Sequence, residues 1–133
     1  MNIGHEKLIV YQRSLDFIEF VHKVINIETL RINAIDQLDR ASTSIPLNVA
    51  EGTGKYTGKD KSRFYDIARG SALESAACLD VLAKKGKISE EIASEGKKII
   101  FEIVSMLFGL IKSNSDRVYE NEFKYKSSSN NEN

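Results

Sequence analysis

The feature that most constrains the fold is a helical repeat of apolar residues that runs straight through the only proline of the chain. These residues follow one another at spacings of three and four: Ala34, Leu38, Ala41, Ile45, Val49 and Gly52. Proline inside a helix costs about 3 kcal/mol, because it removes one hydrogen bond and crowds the carbonyl four residues earlier. An element that began after Pro46 would have no reason to resume the same phase. The pattern therefore predicts one helix over 29–52, kinked at Pro46, and the alternative is two helices divided at Ser44.

Two further segments have helical patterns with recognisable ends. The first helix is expected over 6–27, with a core-facing stripe at Leu8, Tyr11, Leu15, Ile18, His22 and Ile25 that is widened by Phe17, Val21 and Val24. The third helix is expected to begin at Thr57, which forms a capping box with Asp60. It should end near Lys85, because Gly86 follows and glycine commonly terminates a helix.

A fourth helix is expected from Ser89 onward, and it is apolar on two faces. One stripe consists of Ile92, Ile99, Ile103, Met106 and Leu110, and the other of Ile100, Phe101, Leu107 and Ile111. A helix of a bundle needs a single apolar stripe. The second stripe indicates either a contact with another subunit or a deeply buried central helix.

The four segments predict an all-α fold, an antiparallel up-down-up-down four-helix bundle whose second helix is kinked at Pro46. The bundle is expected to occupy residues 1–118. Residues 119–133 are polar and lack helical periodicity, and we expect them to form a disordered tail.

Composition excludes several classes of protein. Lys plus Arg and Asp plus Glu number 19 each in the 133 residues, so the surface as a whole does not attract nucleic acid. Cys78 is the single cysteine, which rules out an internal disulfide and indicates a small buried thiol. The chain shows neither a signal peptide nor a long uncharged run, so we expect a cytoplasmic protein with no membrane partner.

Catalytic motifs are missing from the sequence. It contains no HExxH, CxxC, P-loop or GxSxG pattern, and its GTG triplet follows a helix rather than a strand. Carboxylates show no paired spacing on two helices that would hold a di-iron site. We therefore expect a protein that is not an enzyme and that needs no cofactor or metal.

Polar residues on or beside the apolar lines of the second and third helices are candidates for a polar core or interface. They are Arg40, Asn48, Glu51, Arg69 and Glu74. A carboxylate on such a line must be paired or hydrogen-bonded. We expect Arg40 or Arg69 to pair with Glu51 or Glu74 and fix the helix register; the alternative is a polar site within the bundle or at a subunit junction.

Basic residues cluster at both ends of the predicted third helix and are candidate nucleic-acid contacts. The first group is Lys55, Tyr56, Lys59, Lys61 and Arg63, and the second is Lys84, Lys85 and Lys87, with Lys97 and Lys98 nearby on the fourth helix. Tyr56 lies among the cations of the first group, where its ring could stack on a base. An ordinary solvated lysine surface explains each group equally well, unless several subunits repeat it around a ring.

The segment QLDRASTSIPLNVAEGTGKYTGKDKSRFYDIARGSALES, residues 37–75, resembles the four-helix-bundle family encoded by intervening sequences in bacterial 23S ribosomal RNA genes. The matching residues are Gln37, Arg40, Ala41, Ser44, Ile45, Pro46, Asn48, Ala50, Glu51, Gly52, Phe64, Ile67, Ala68, Gly70, Ser71 and Glu74. The resemblance implies a bundle that assembles as a homopentamer and has no established enzymatic activity. It also implies kinship with the accessory protein of diversity-generating retroelements, which binds nucleic acid and a reverse transcriptase. That accessory protein is markedly basic, whereas this chain is neutral.

Three functional hypotheses follow. The first is a non-enzymatic homo-oligomeric scaffold, pentameric by the resemblance. It would bind other copies of itself and, in addition, a protein or nucleic-acid partner. The second is an accessory protein that binds RNA or DNA, or a nucleic-acid-handling protein, through basic patches on a ring. The third is an enzyme whose site is built on Arg40, Glu51 and Glu74.

Overall fold

A computed structural model describes residues 4–26 and 33–131, with the side chains of those residues except at position 7 and at 116–131. A 3-10 turn at Gly4–Lys7 precedes four helices: α1 (Ile9–Asn26), α2 (Asn33–Thr53), α3 (Gly58–Lys84) and α4 (Glu90–Asn131). No strand occurs in these two ranges. The prediction of an all-α protein with four helices is confirmed.

The helices enclose one apolar core. Helix α3 packs against both α2 and α4, and α1 completes the arrangement by contacting α2 and α4. The largest fully buried apolar side chains come from all four helices: Phe17, Val24, Leu38, Ile45, Val49, Leu79, Leu82, Ile103 and Leu107. No helix within the described ranges is long and apolar enough to cross a membrane.

The core-facing side of α1 is centred on Phe17, Val21 and Val24, which the sequence placed at the edge of the predicted stripe, while Leu8, Tyr11 and Ile25 are only partly buried against the core. Its buried residues are Val10, Ser14, Phe17, Val21 and Val24. Leu15, assigned to the predicted stripe, is 45% exposed, and His22 is exposed, with its Nε2 3.1 Å from the Asn26 amide. The run of apolar residues at 8–11 fits several rotations of the helix, and burial of Phe17 decided which rotation packs best.

Helix α2 is continuous through Pro46, so the alternative of two helices divided at Ser44 is wrong. The predicted stripe from Ala34 to Gly52 is buried along its whole length. Just before the proline, the hydroxyls of Ser42 and Thr43 both donate to the Asp39 carbonyl, at 3.0 and 2.8 Å. Such hydroxyl bonds accompany bends in helices, but a kink at Pro46 stays a prediction.

Close approach joins α2 to α3. A Cβ placed on Gly52 would lie 2.8 Å from the Tyr65 ring, so only glycine lets the two helices meet here. The Tyr65 hydroxyl lies 3.0 Å from the Thr53 hydroxyl. As predicted, Thr57 caps α3: its side chain accepts a hydrogen bond from the Asp60 amide at 3.1 Å.

Helix α3 ends as the glycine rule predicts. Gly86 has a φ of 70°, the left-handed conformation that glycine adopts without strain. The Gly86 amide bonds the Ala83 carbonyl and the Lys87 amide bonds the Leu82 carbonyl, both at 2.9 Å, which is a Schellman motif. The Ser89 hydroxyl then accepts from the Ile92 amide and caps α4.

Helix α4 is 42 residues long and continues past the predicted bundle boundary at 118. The tail predicted at 119–133 lies outside the residues whose side chains are described, so that boundary stays a prediction. Within the described part, Phe101 is 73% and Phe108 is 60% exposed. These exposures rule out the alternative that α4 is a deeply buried central helix.

Candidate interaction surfaces

A small hydroxyl network holds α2 and α3 together. The Ser71 hydroxyl donates to the Ser44 hydroxyl at 2.8 Å. The Asn48 amide donates to the Ser44 hydroxyl at 2.9 Å and to the Ser44 carbonyl at 2.8 Å. One turn along α3, the Ser75 hydroxyl donates to the Ser71 carbonyl at 2.9 Å. Asn48 therefore lies beside the apolar line of α2, where the sequence placed it as a candidate polar residue of the core or interface.

Two charged residues beside this network lack ion-pair partners. A shallow groove of about 390 Å³ is lined by Gln37, Arg40, Ala41, Ser44, Ser71 and Glu74. Arg40 and Glu74 are both exposed. Neither makes an ion pair with any residue that the structure describes. Their charged groups thus remain available to something outside this chain.

The predicted ion pair between α2 and α3 is wrong. Glu51 pairs instead with Lys55, four residues later in the chain, at 3.6 Å. Arg69 pairs with Asp66, three residues earlier, at 3.2 Å. Arg69 lies about 140° around α3 from Glu74, which places the two side chains on different sides of the helix. Exposed carboxylates are solvated by water and need no partner across the interface, so residues three or four positions away in the chain provide the contacts.

The side of the molecule that carries Arg40 and Glu74 also exposes apolar residues. Leu47 on α2 is 61% exposed, and Ile67 and Val81 on α3 are 45% and 42% exposed. Residues seven apart share one side of a helix, so Leu47 shares a side with Arg40, and Ile67 and Val81 share one with Glu74. We call this surface the α2–α3 face, defined by Arg40, Leu47, Ile67, Glu74 and Val81.

The groove of the α2–α3 face continues toward the C-terminal end of α3. A second depression of about 260 Å³ shares Gln37 and Glu74 with the first and adds Asn33, Ala34, Ala77, Cys78, Val81 and Lys85. Cys78 is buried at its floor. Burial raises the pKa of the Cys78 thiol, and the neighbouring Glu74 carboxylate raises that pKa further.

The first basic group forms a cap at the α2–α3 turn. The Lys55 ammonium and the Arg63 guanidinium lie 5.1 and 4.9 Å from the centre of the Phe64 ring. Lys61 donates to the Thr53 carbonyl at 2.9 Å and so caps the end of α2. Tyr56 is fully exposed at the tip of the turn, and Lys59 beside it is also exposed.

The second basic group lies at the opposite end of α3. Lys84, Lys85 and Lys87 are exposed there. A helix rises 1.5 Å per residue, so Lys59 and Lys84 are separated by about 38 Å along α3. Nearby, Lys97 donates to Asp80 at 2.8 Å, and that hydrogen bond raises the Lys97 pKa. The two groups do not merge into one basic patch on a single subunit.

The α1–α4 side carries a mainly apolar depression. It measures about 430 Å³ and is lined by Leu8, Ile9, Val10, Met106, Gly109 and Leu110. Beside it, Arg13 pairs with Glu102 at 2.7 Å, and this hydrogen bond raises the Arg13 pKa. In the ranges described, no group of three or more His, Cys, Asp or Glu residues could hold a metal ion.

Residues 6–109 match the model of a protein family described as 23S rRNA-intervening sequence protein. The chain belongs to this family. The match covers the α2–α3 face and the cap at the α2–α3 turn, and it ends within α4. No curated protein matches the chain.

A solved structure supports the fold of this chain. It is the 1.70 Å crystal structure of a protein with unknown function from the S23 ribosomal protein family of Bacteroides thetaiotaomicron VPI-5482. The two chains are 25% identical and superpose with a TM-score of 0.73, over 78% of this chain and 99% of the other.

Sequence reasoning identified some members of the candidate surface and overlooked others. Arg40, Asn48 and Glu74 were selected and lie together along α2 and α3, whereas Glu51 does not line the groove. Ser44 was noted at the possible helix break and, with Ser71, within the family resemblance, but not for the hydrogen bond by which the two residues join the helices. The signal available in the sequence was a serine hydroxyl on each of two otherwise apolar helix sides, because such hydroxyls bond nearby amides or carbonyls.

Proposed function

We propose that this protein is a non-enzymatic homo-oligomeric scaffold, pentameric by its family resemblance, in which the α2–α3 face forms a subunit contact. The observation that carries the proposal is the combination of exposed apolar residues and partnerless charges on that face. Leu47, Ile67 and Val81 expose about half of their surfaces. Arg40 and Glu74 lie in the groove between them without an ion pair among the described residues.

The energetics favour burial of this face. Fully burying one aliphatic side chain contributes about 1.5–3 kcal/mol, so completing the burial of three half-exposed ones contributes about 2–4 kcal/mol. Arg40 and Glu74 would gain partners from the neighbouring subunit, with the register set by complementary charge. A surface that joins an apolar centre to a polar rim is typical of a subunit interface.

The helix directions support the same assembly. Cross-helix bonds run in opposite directions along neighbouring helices: Thr53 at the end of α2 bonds Tyr65 in the early part of α3, whereas Ser44 in the middle of α2 bonds Ser71 in the middle of α3. Asp80 near the end of α3 bonds Lys97 near the start of α4. This order fits antiparallel neighbours in an up-down-up-down bundle, which would present α2 and α3 side by side along a ring. A bend of α2 near Pro46 would let the helix follow that curved surface.

Sedimentation of a doubly substituted protein tests the proposal. Leu47→Ser with Ile67→Ser removes exposed apolar area, so the monomer should keep its helix content while the assembly dissociates at micromolar concentration. Leu15→Ser, at a residue equally exposed on α1, serves as the matched control and should sediment as the wild type does. A wild-type protein that sediments as a monomer at these concentrations would refute the scaffold.

The exposed Tyr56 supports a second candidate, RNA binding at the cap of the α2–α3 turn. In the same turn region, the Lys55 and Arg63 cations lie over the Phe64 ring in cation–π contacts. In a ring, five such caps would gather at one end and sum their fields, although the chain is neutral. Stacking contributes about 1–3 kcal/mol per base, so Tyr56→Ala should weaken binding of a single-stranded RNA about tenfold in 50 mM salt. Absence of any binding at that salt concentration would remove this candidate.

A further inference from the structure

Helix α4 exposes two phenylalanines that the fold of a single subunit does not explain. Phe101 is 73% and Phe108 is 60% exposed. They are seven residues apart, so they lie on the same side of α4 and about 10 Å apart along its axis. Large exposed aromatic residues in such a row mark a contact with another molecule more often than chance placement.

A ring of five subunits requires two different contact surfaces. When a surface pairs with the same surface of another copy, the contact has twofold symmetry and is complete in a dimer. An odd-numbered ring cannot be made from such pairs. If the α2–α3 face is one half of the contact, each subunit must therefore carry a second, different face that fits it.

We propose that the side of α4 that bears Phe101 and Phe108 is this second face, and that it docks onto the α2–α3 face of the next copy. We call it the aromatic face. The inference rests on the homo-oligomeric function proposed above and adds the identity of the partner surface. The shapes suit each other, because the aromatic face presents two largely exposed phenylalanine side chains and the α2–α3 face is a shallow groove.

The charges of the two faces are complementary as well. Lys98, three residues before Phe101, is exposed and makes no ion pair with any residue that the structure describes. Glu74 lies in the groove of the α2–α3 face, also without an ion pair. Docking would bring a partnerless cation near a partnerless carboxylate, which favours this pairing over other orientations.

A second copy explains the aromatic face better than nucleic acid does. Phenylalanines flanked by lysines can stack on bases. Here, however, the exposed Glu95 lies one turn before Lys98, while Glu102, one turn after it, is paired with Arg13. The Glu95 carboxylate repels a phosphate backbone, whereas it does not oppose a neutral protein surface.

Complementary variants test the pairing directly. The aromatic variant, Phe101→Ser with Phe108→Ser, keeps its groove, and the groove variant, Leu47→Ser with Ile67→Ser, keeps its aromatic face. Each alone should sediment as a folded monomer, since all four residues are exposed. Mixed at equal concentration, they should form a complex of two subunits and no larger, because only one of the two possible contacts is intact. Native mass spectrometry would give the count.

Each outcome distinguishes the two proposals. A monomeric wild-type protein would refute the scaffold itself. An oligomeric wild type whose aromatic variant keeps the same mass would refute only the aromatic face, as would two monomeric variants that fail to combine. If the aromatic variant keeps its assembly but loses affinity for a single-stranded uridine oligonucleotide, the face binds nucleic acid and the proposal is overturned. Phe101→Leu with Phe108→Leu, which keeps an apolar surface, should retain most of the assembly.

Discussion

At the scale of single residues, Gly70 has the least explained position in α3. A glycine in a helix interior costs about 1 kcal/mol relative to alanine. No atom lies within 4 Å of the place that a Cβ of Gly70 would occupy. A glycine at this cost suggests close contact with another backbone, and no such contact occurs at Gly70 within the subunit. In the proposed assembly, a neighbouring subunit on the α2–α3 face would provide that contact, since Ile67 and Glu74 lie one turn to either side.

Gly70→Ala should separate folding from assembly. The added methyl group raises helix propensity, so the isolated subunit should gain about 1 kcal/mol of unfolding free energy, or about 3–5 °C in melting temperature. In the assembly the same methyl group should obstruct the neighbour and shift sedimentation toward monomer. Gly109→Ala is the matched control, because that site is equally open and lies off the α2–α3 face. Equal assembly by the two variants would contradict the prediction.

Cys78 should be an unreactive thiol at neutral pH. Burial and Glu74 raise its pKa, so the nucleophilic thiolate is rarer in the folded protein than in the unfolded chain. Maleimide should therefore label the native protein more slowly than the protein in urea, and Glu74→Gln should speed native labelling. Because the folded pKa is the higher one, the thiol stabilises the fold at neutral pH, and this contribution is lost as the pH rises through the folded pKa. Equal labelling rates in both states would contradict the prediction.

At the scale of helix pairs, the Ser44–Ser71 hydrogen bond should determine how α2 and α3 align. A double-mutant cycle with Ser44→Ala and Ser71→Ala should give a coupling of about 1 kcal/mol in the free energy of unfolding, measured with urea. Ser75→Ala is the control, since its hydroxyl bonds only within α3. A coupling no larger than that between Ser44 and Ser75 would show that apolar packing alone sets the register.

The helices could be predicted from the sequence where one pattern left a single choice. The α2 stripe from Ala34 to Gly52, the Thr57 cap and the Gly86 terminator each follow from spacing or backbone chemistry. The rotation of α1 about its own axis could not be predicted in the same way. The four apolar residues at 8–11 cover about a full turn and permit several rotations. Packing of Phe17 against the other helices selects one of them, and a single helix pattern contains no information about that partner.

The candidate surface was only partly predictable for a related reason. Arg40 and Glu74 were recognised as polar residues beside apolar lines, and they do line one groove. Their expected ion-pair partners were wrong, because pairing depends on exposure and on rotation around the helix. In the sequence, Phe101 belonged to a second apolar stripe that indicated either a subunit contact or a buried helix, and Phe108 was not singled out. Only the three-dimensional arrangement shows that the core is complete without them.

At the scale of the whole molecule, the question is where the folded unit ends. The family match ends at residue 109, but the described core extends beyond it. Asn114 is buried and donates to the Leu110 carbonyl at 2.7 Å, and Ile111 packs against the core. The Ser62 hydroxyl donates to the Ile111 carbonyl at 3.5 Å, which attaches this turn of α4 to α3. These contacts show that the folded unit extends beyond residue 109, while the boundary at 118 stays a prediction.

A truncated chain of residues 1–118 should therefore fold and assemble as the full chain does. It keeps every described core residue, so its melting temperature should change by less than about 3 °C, which corresponds to under 1 kcal/mol.

The matched control is a chain of residues 1–109, which loses Leu110, Ile111 and Asn114. Removing buried apolar groups costs about 2–5 kcal/mol per large side chain, so this control should melt at least about 10 °C lower. Circular dichroism gives both melting temperatures, and sedimentation gives the assembly. If the 1–118 chain instead melts as low as the 1–109 chain, residues 119–133 belong to the folded unit and the predicted tail is wrong.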